Sequence, residues 1–118
     1  MINLKKPNEN RVVKIKVSGK VSRDDYRQRL PELEEILNDG GTFRFFIEME
    51  EVTGFEAGAL WEDLKFDLKH KDQNGKVALV GDRKWEERVL KLADLFFKAE
   101  MKYFPRNCVD EAWEWVNS

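Results

Sequence analysis

The chain has 118 residues, with 21 Lys+Arg against 23 Asp+Glu and a formal net charge of −2; that length fits one domain, expected to span residues 1–118. A hydrophobic fraction of 42% beside a charged fraction of 37% excludes a disordered chain and points to a folded one with a highly charged surface. A single cysteine excludes an internal disulfide framework and a cysteine-based metal cluster within one chain.

Ile2–Lys5 is short enough for an edge strand, followed by the turn-like Pro7-Asn8-Glu9-Asn10. Val12-Val13-Lys14-Ile15-Lys16-Val17 alternates after its first residue and is rich in β-branched types, which predicts a strand. Tyr26, Leu30, Leu33 and Leu37 then fall on one face of a helix. Ser22 with Asp25 resembles its N-terminal cap, and Gly40-Gly41 suits its end. Pro31 predicts a kink or a restart, because a proline has no amide hydrogen to donate to the preceding turn. Phe43–Met49 is the next strand-length run, followed by a helical stripe of Ala57, Trp61, Leu64 and Leu68. Lys76–Gly81 is apolar on both faces, as a central strand covered by helices is. Trp85, Val89, Leu92 and Phe96 form another stripe. Glu100–Phe104 alternates and stops at Pro105, and Val109, Ala112, Trp113 and Val116 form a last stripe with Asn107 as its expected cap. The order β-β-α-β-α-β-α-β-α predicts an α/β fold with a mostly parallel four- to five-stranded sheet flanked by helices. The stripe tryptophans Trp61, Trp85 and Trp113 are expected in its core.

Several partners are excluded by pattern. No run approaches the roughly 18 apolar residues that span a bilayer. The Met1–Pro7 segment also lacks the apolar core of a secretory signal, so a cytoplasmic protein is expected. Basic residues alternate with acids, as in Lys84-Trp85-Glu86-Glu87-Arg88, which is a solvated helix face and not a nucleic-acid patch.

Catalytic chemistry is thinly supplied. His70, the one histidine, falls where a helix C-terminus favours a cation, and Cys108 reads as a half-buried structural thiol. No nucleophile elbow, P-loop or dinucleotide fingerprint occurs. Gly54 and Gly58 mark a flexible helix entry. Asp63, Asp67 and His70 share a helix face but lack a fourth ligand, so no metal site, cofactor or catalytic residue is expected. An enzyme reading would have to rest on His70 or Cys108 alone.

Val80-Gly81-Asp82-Arg83-Lys84-Trp85 is the strongest local constellation. It ends a central strand where open parallel sheets bind ligands, and it opens into a helix whose free N–H groups favour anions. Asp82 fits as N-cap. Arg83 and Lys84 either point to water or hold an anionic head-group, and Glu48, Glu50, Glu51 and Glu56 make the neighbouring rim mixed in sign. Phe66, at about 100° per residue, points away from its helix's apolar stripe, towards a loop, a ligand or a partner chain.

Three segments carry a family resemblance: Ala59–Asp67, then Val77–Glu86 with its Gly-Asp-Arg-Lys-Trp-Glu stretch, then Ala99–Phe104, with Glu111–Val116 closing the match. The sequence resembles the SpoIIAA-like group, a branch related to STAS domains, and the resemblance implies the same sheet-and-helix architecture. In regulatory STAS domains a serine after the second core strand is phosphorylated to switch partner binding. The matching region, Val52–Leu60, places Glu56 near the motif's aspartate and Ala57 near its serine, with Thr53 the nearest hydroxyl. An alanine cannot acquire the charge of a phosphate, so the switch is expected to be absent. The branch also resembles CRAL-TRIO domains in architecture, which implies a hydrophobic or lipid-like ligand held by Trp61, Leu64, Phe66, Trp85, Leu90 and Phe97, with Arg83 and Lys84 at a polar head. The expectation is a non-catalytic binding or interaction module. Its protein partner, a second copy of the chain included, would meet Glu50, Glu51, Thr53, Phe55 and Glu56 on the rim. The alternative is a carrier of a small hydrophobic ligand at Asp82, Arg83, Lys84, Trp85, Trp61 and Phe66.

Overall fold

The computed structural model describes residues 1–55, 74–82 and 100–118. These form β1 (Ile2–Lys5), β2 (Val12–Val21), α1 (Arg23–Leu37), β3 (Phe43–Phe55), β4 (Asn74–Gly81), β5 (Met101–Pro105), a 3-10 turn (Arg106–Cys108) and α2 (Val109–Asn117). The five strands make one sheet in the order β1-β2-β3-β4-β5. Instead of the mostly parallel sheet expected, this one is mixed: β2, β3, β4 and β5 pair in parallel, while β1 pairs antiparallel with β2. The tight turn after β1 dictates this, since parallel neighbours need a crossover of a dozen or more residues. In that turn Asn8 Oδ1 accepts from the amides of Asn10 and Val12 at 2.9 and 3.0 Å.

Strand alternation divides the core into two layers. On one face Val13, Val17, Phe45, Met49, Val77 and Leu79 are buried, with Leu37, Leu33, Ile36 and Tyr26 of α1 packed against this layer. On the other face Val12, Phe46, Ala78, Val80 and Phe104 are buried beneath Ala112 and Val116 of α2.

Helix α1 begins with a capping box. The Asp25 amide donates to Ser22 Oγ at 3.1 Å and the Ser22 amide donates to Asp25 Oδ2 at 2.9 Å, so two amides that the helix cannot satisfy find acceptors. The expected break at Pro31 is not present as a restart; the helix runs through it as one element of 15 residues. Pro31 is exposed, and Tyr26 before it and Leu33, Ile36 and Leu37 after it pack on the same sheet face, so burial on both sides carries the helix across the missing amide. Gly40 and Gly41 then turn the chain with φ of 77° and 81°, a region that glycine enters at no steric cost.

The last helix differs from expectation in two ways. Pro105 leads into the 3-10 turn, so Asn107 lies in that turn and Cys108 takes the N-cap position with no side-chain capping bond. The half-buried Cys108 packs on the α2 layer, and its thiol lies 3.7 Å from Asn107 Oδ1, the acceptor. Trp113, expected in the core, is 37% exposed. It sits on the flank of α2, edge-on to Phe46 with ring centroids 5.1 Å apart, while Ala112 and Val116 take the buried positions.

Candidate functional site

The carboxyl ends of the parallel strands carry a group of exposed charged residues. β2 and β3 run in register up to Ser18 opposite Glu50, and the pairing then shifts so that Gly19 lies opposite Val52. Glu51 is the extra residue, with φ of 49°, and Gly19 has φ of 65°. Such bulges bend a strand and re-aim its side chains, and a non-glycine residue held in the left-handed region costs of order 1–3 kcal/mol. The bulge leaves Val52 buried while Glu50, Glu51 and Thr53 stand exposed.

Lys16 and Glu50 form a close ion pair, Nζ to Oε2 2.6 Å. Their hydrogen bond, and then their opposite charges, raise the Lys16 pKa and lower that of Glu50. Arg106 adds to the lowering at Glu50. From its place just after β5, Arg106 donates through Nη2 to the Met49 carbonyl of β3 at 3.3 Å and brings Nε to 3.6 Å from Asp82 Oδ1, beyond the end of β4. Tyr103 of β5 donates its hydroxyl to the Asp82 carbonyl. Gly81 is needed at the base of this arrangement: a Cβ there would stand 3.2 Å from both Met49 Cβ and the Tyr103 hydroxyl.

The rim therefore brings together Glu50, Glu51, Thr53 and Asp82 of the expected residues. Phe55 ends β3. Glu56, Trp61, Phe66, Arg83, Lys84 and Trp85 lie outside the described residues, as do Asp63, Asp67 and His70. Sequence reasoning missed Lys16 and Arg106. The signal for Arg106 was present: it follows Pro105 at the carboxyl end of the last strand, the same topological position that singled out Asp82. Among the described residues no three His, Cys, Asp or Glu side chains converge as a metal site would require. Among the described residues, two cations interleaved with three carboxylates, all reachable from solvent, make a surface that can form ion pairs and hydrogen bonds with a partner of matching pattern.

With this geometry in place, comparison with known proteins gives the class. The chain belongs to the SpoIIAA-like family, whose model matches residues 12–117. Among solved structures it is similar to an uncharacterised protein of the DUF3478 family with a SpoIIAA-like fold from Shewanella loihica PV-4. The two are 28% identical, the match covers 98% of this chain and 92% of that one, and the TM-score is 0.81. It is also similar to the anti-sigma factor antagonist SpoIIAA in its unphosphorylated form, at 12% identity, covering 100% and 99% of the two chains with a TM-score of 0.68; this likeness concerns the fold. No curated protein matches the sequence significantly.

Proposed function

We propose that this chain is a non-catalytic, STAS-like binding module that grips a protein partner through the rim at the carboxyl ends of its strands. The observation that carries the reading is the β3 bulge. It keeps Val52 in the core and holds Glu51 in a costly backbone conformation, so that Glu50, Glu51 and Thr53 project together into solvent. Strain retained at an exposed, charged edge serves recognition better than it serves stability. Family membership supports the class, and the fold likeness to an anti-sigma factor antagonist supports a protein as the partner. The serine that regulatory relatives phosphorylate has no counterpart at Ala57, so binding here is unswitched; no cofactor or metal takes part.

The alternative, a carrier of a hydrophobic ligand with CRAL-TRIO-like architecture, draws on Trp61, Phe66 and Trp85, outside the described residues. Beneath α2 the described sheet face is filled by Phe46, Ala78, Val80 and Phe104 packed on Ala112 and Val116. That filling favours the interaction module.

Affinity capture from extract of the native host tests the proposal, with wild type compared against Glu51→Arg combined with Thr53→Arg. Both side chains are exposed, so the variant keeps its fold. A protein retained by wild type and lost from the variant is the expected result. Identical captured proteins on both baits would refute rim binding.

A further inference from the structure

Helix α2 covers only part of its sheet face. It packs mainly on β3, β4 and β5 and reaches β2 at Val12. Over β1 and β2 the same face carries Asn3, Lys5, Lys14 and Lys16, because Ile2, Leu4, Val13, Ile15 and Val17 are turned to the α1 side. The antiparallel register sets Lys5 directly opposite Lys14. Like charges so placed repel. Lys14 has Glu48 at 3.7 Å and Lys16 has Glu50 at 2.6 Å. Lys5 is exposed and has no carboxylate of the described residues within ion-pair distance.

Helix α2 shows the opposite balance. Its exposed residues include Asp110, Glu111, Trp113 and Glu114, and it contains no lysine or arginine. No cation of the described residues pairs with any of these three carboxylates. Trp113 stands on the border of the two patches, with Lys14 Nζ 5.6 Å from its ring. Beside it an open depression of about 470 Å3 lies between the Asn8–Asn10 turn and the end of α2. That border is held firmly: Asn8 and Asn10 both donate through Nδ2 to Asn117 Oδ1, at 2.9 and 3.1 Å, and Asn117 donates to the Trp113 carbonyl at 2.8 Å.

We propose that a second copy of the chain docks on this face, its α2 lying over the lysine-bearing strands of the first, and the reverse. Lys76 and Lys102 reach only the Trp115 side of α2. A helix whose exposed carboxylates have no ion-pair partner among the described residues, beside strands bearing lysine, is complementary to itself under a two-fold rotation, which is the requirement for an isologous interface. The carboxylates of Glu111 and Glu114 from each copy relieve the Lys5–Lys14 repulsion of the other. Trp113, exposed in the isolated chain, is the aromatic anchor at the centre, a residue type enriched where interfaces derive their affinity. The rim partner and the second copy use neighbouring surfaces, and the experiment below needs only the purified chain, so its failure leaves the rim reading standing.

Sedimentation velocity over a wide concentration range tests this. The expected result is a concentration-dependent species of twice 14.0 kDa that weakens as salt is added. Lys5→Glu in one preparation, and Glu111→Lys with Glu114→Lys in another, each weaken self-association by about tenfold or more, and an equimolar mixture of the two restores the dimer because the reversed patches then face one another. All three positions are exposed, so the reversals leave the fold intact, and the wild-type series decides without them. A single species of 14.0 kDa at every concentration overturns the proposal. So does a dimer indifferent to both reversals, or a mixture that fails to reassociate. A 14.0 kDa chain that instead binds a poly-lysine peptide through α2 would assign the face to a different, basic protein.

Discussion

The two faces of the sheet are built for different neighbours. Facing α1, buried apolar residues continue along the strands, from Val13 through Val17 on β2 and from Phe43 through Met49 on β3. Facing α2, each of these strands changes character midway: Val12 and Phe46 are buried, then Lys14 and Lys16 follow on β2, and Glu48 and Glu50 on β3. The first face is fully committed to holding the fold. The second divides its length between packing and exposed charge, and the charged part is where recognition belongs.

That contrast can be broken by substitution, and the largest effect belongs to the packed part of the α2 face. Phe46→Ala removes a fully buried ring and its edge contact with Trp113, and should cost about 3–5 kcal/mol in urea unfolding. A loss below about 1 kcal/mol would mean that this layer is loosely packed. On the α1 face, Gly81→Ala forces Met49 and Tyr103 aside and is expected to cost about 1–3 kcal/mol, read the same way.

Ser22→Ala, at the cap of α1, should cost about 1 kcal/mol. The carboxylate of the same capping box carries a pH signature. Hydrogen bonding from the Ser22 amide, with a smaller contribution from its hydroxyl, holds the Asp25 carboxyl below its ordinary pKa, and the Met1 amino group 3.5 Å away acts in the same direction. A carboxyl with a lowered folded pKa adds stability that is present above the unfolded value near about 4 and lost as pH falls through the lower folded value. Acid-unfolding curves of Asp25→Asn, which removes the titrating carboxyl, should therefore depend less steeply on pH in that window. An unchanged slope would remove Asp25 from the account.

The smallest effect belongs to the charged part of the α2 face. Glu48→Gln, two residues from Phe46 on the same strand and face, breaks only a partly exposed ion pair and should change stability by less than about 1 kcal/mol. A cost comparable to that of Phe46→Ala would erase the distinction drawn between packing and recognition.

Much of the fold was legible because it follows from local rules. The alternation in Val12–Val17, the Ser22–Asp25 capping box and the Tyr26–Leu37 stripe each name their structure within a few residues. What escaped depends on distant contacts. Pro31 is tolerated because residues on both sides of it find the sheet, which no local pattern announces. Trp113 reads as core by spacing, yet a sheet face that turns charged at Lys14 leaves part of it uncovered. Pro105 moves the start of α2 by imposing a 3-10 turn. At the site, the strand-end rule located Asp82, and Glu50 and Glu51 stood out as acids. The Lys16–Glu50 and Arg106–Asp82 pairings required the register of four strands, and the bulge at Glu51 is marked by glycine only on the facing strand, at Gly19, which local reading of β3 does not reach.

The most direct measurement is an amide chemical-shift titration of the labelled chain with the protein captured from the host. Rim recognition predicts that signals of residues 50–54 and of Asp82 move, while those of the buried Val13, Phe45 and Leu79 stay in place. Shifts concentrated at those buried positions, with the rim silent, would contradict it and point to a ligand entering the core.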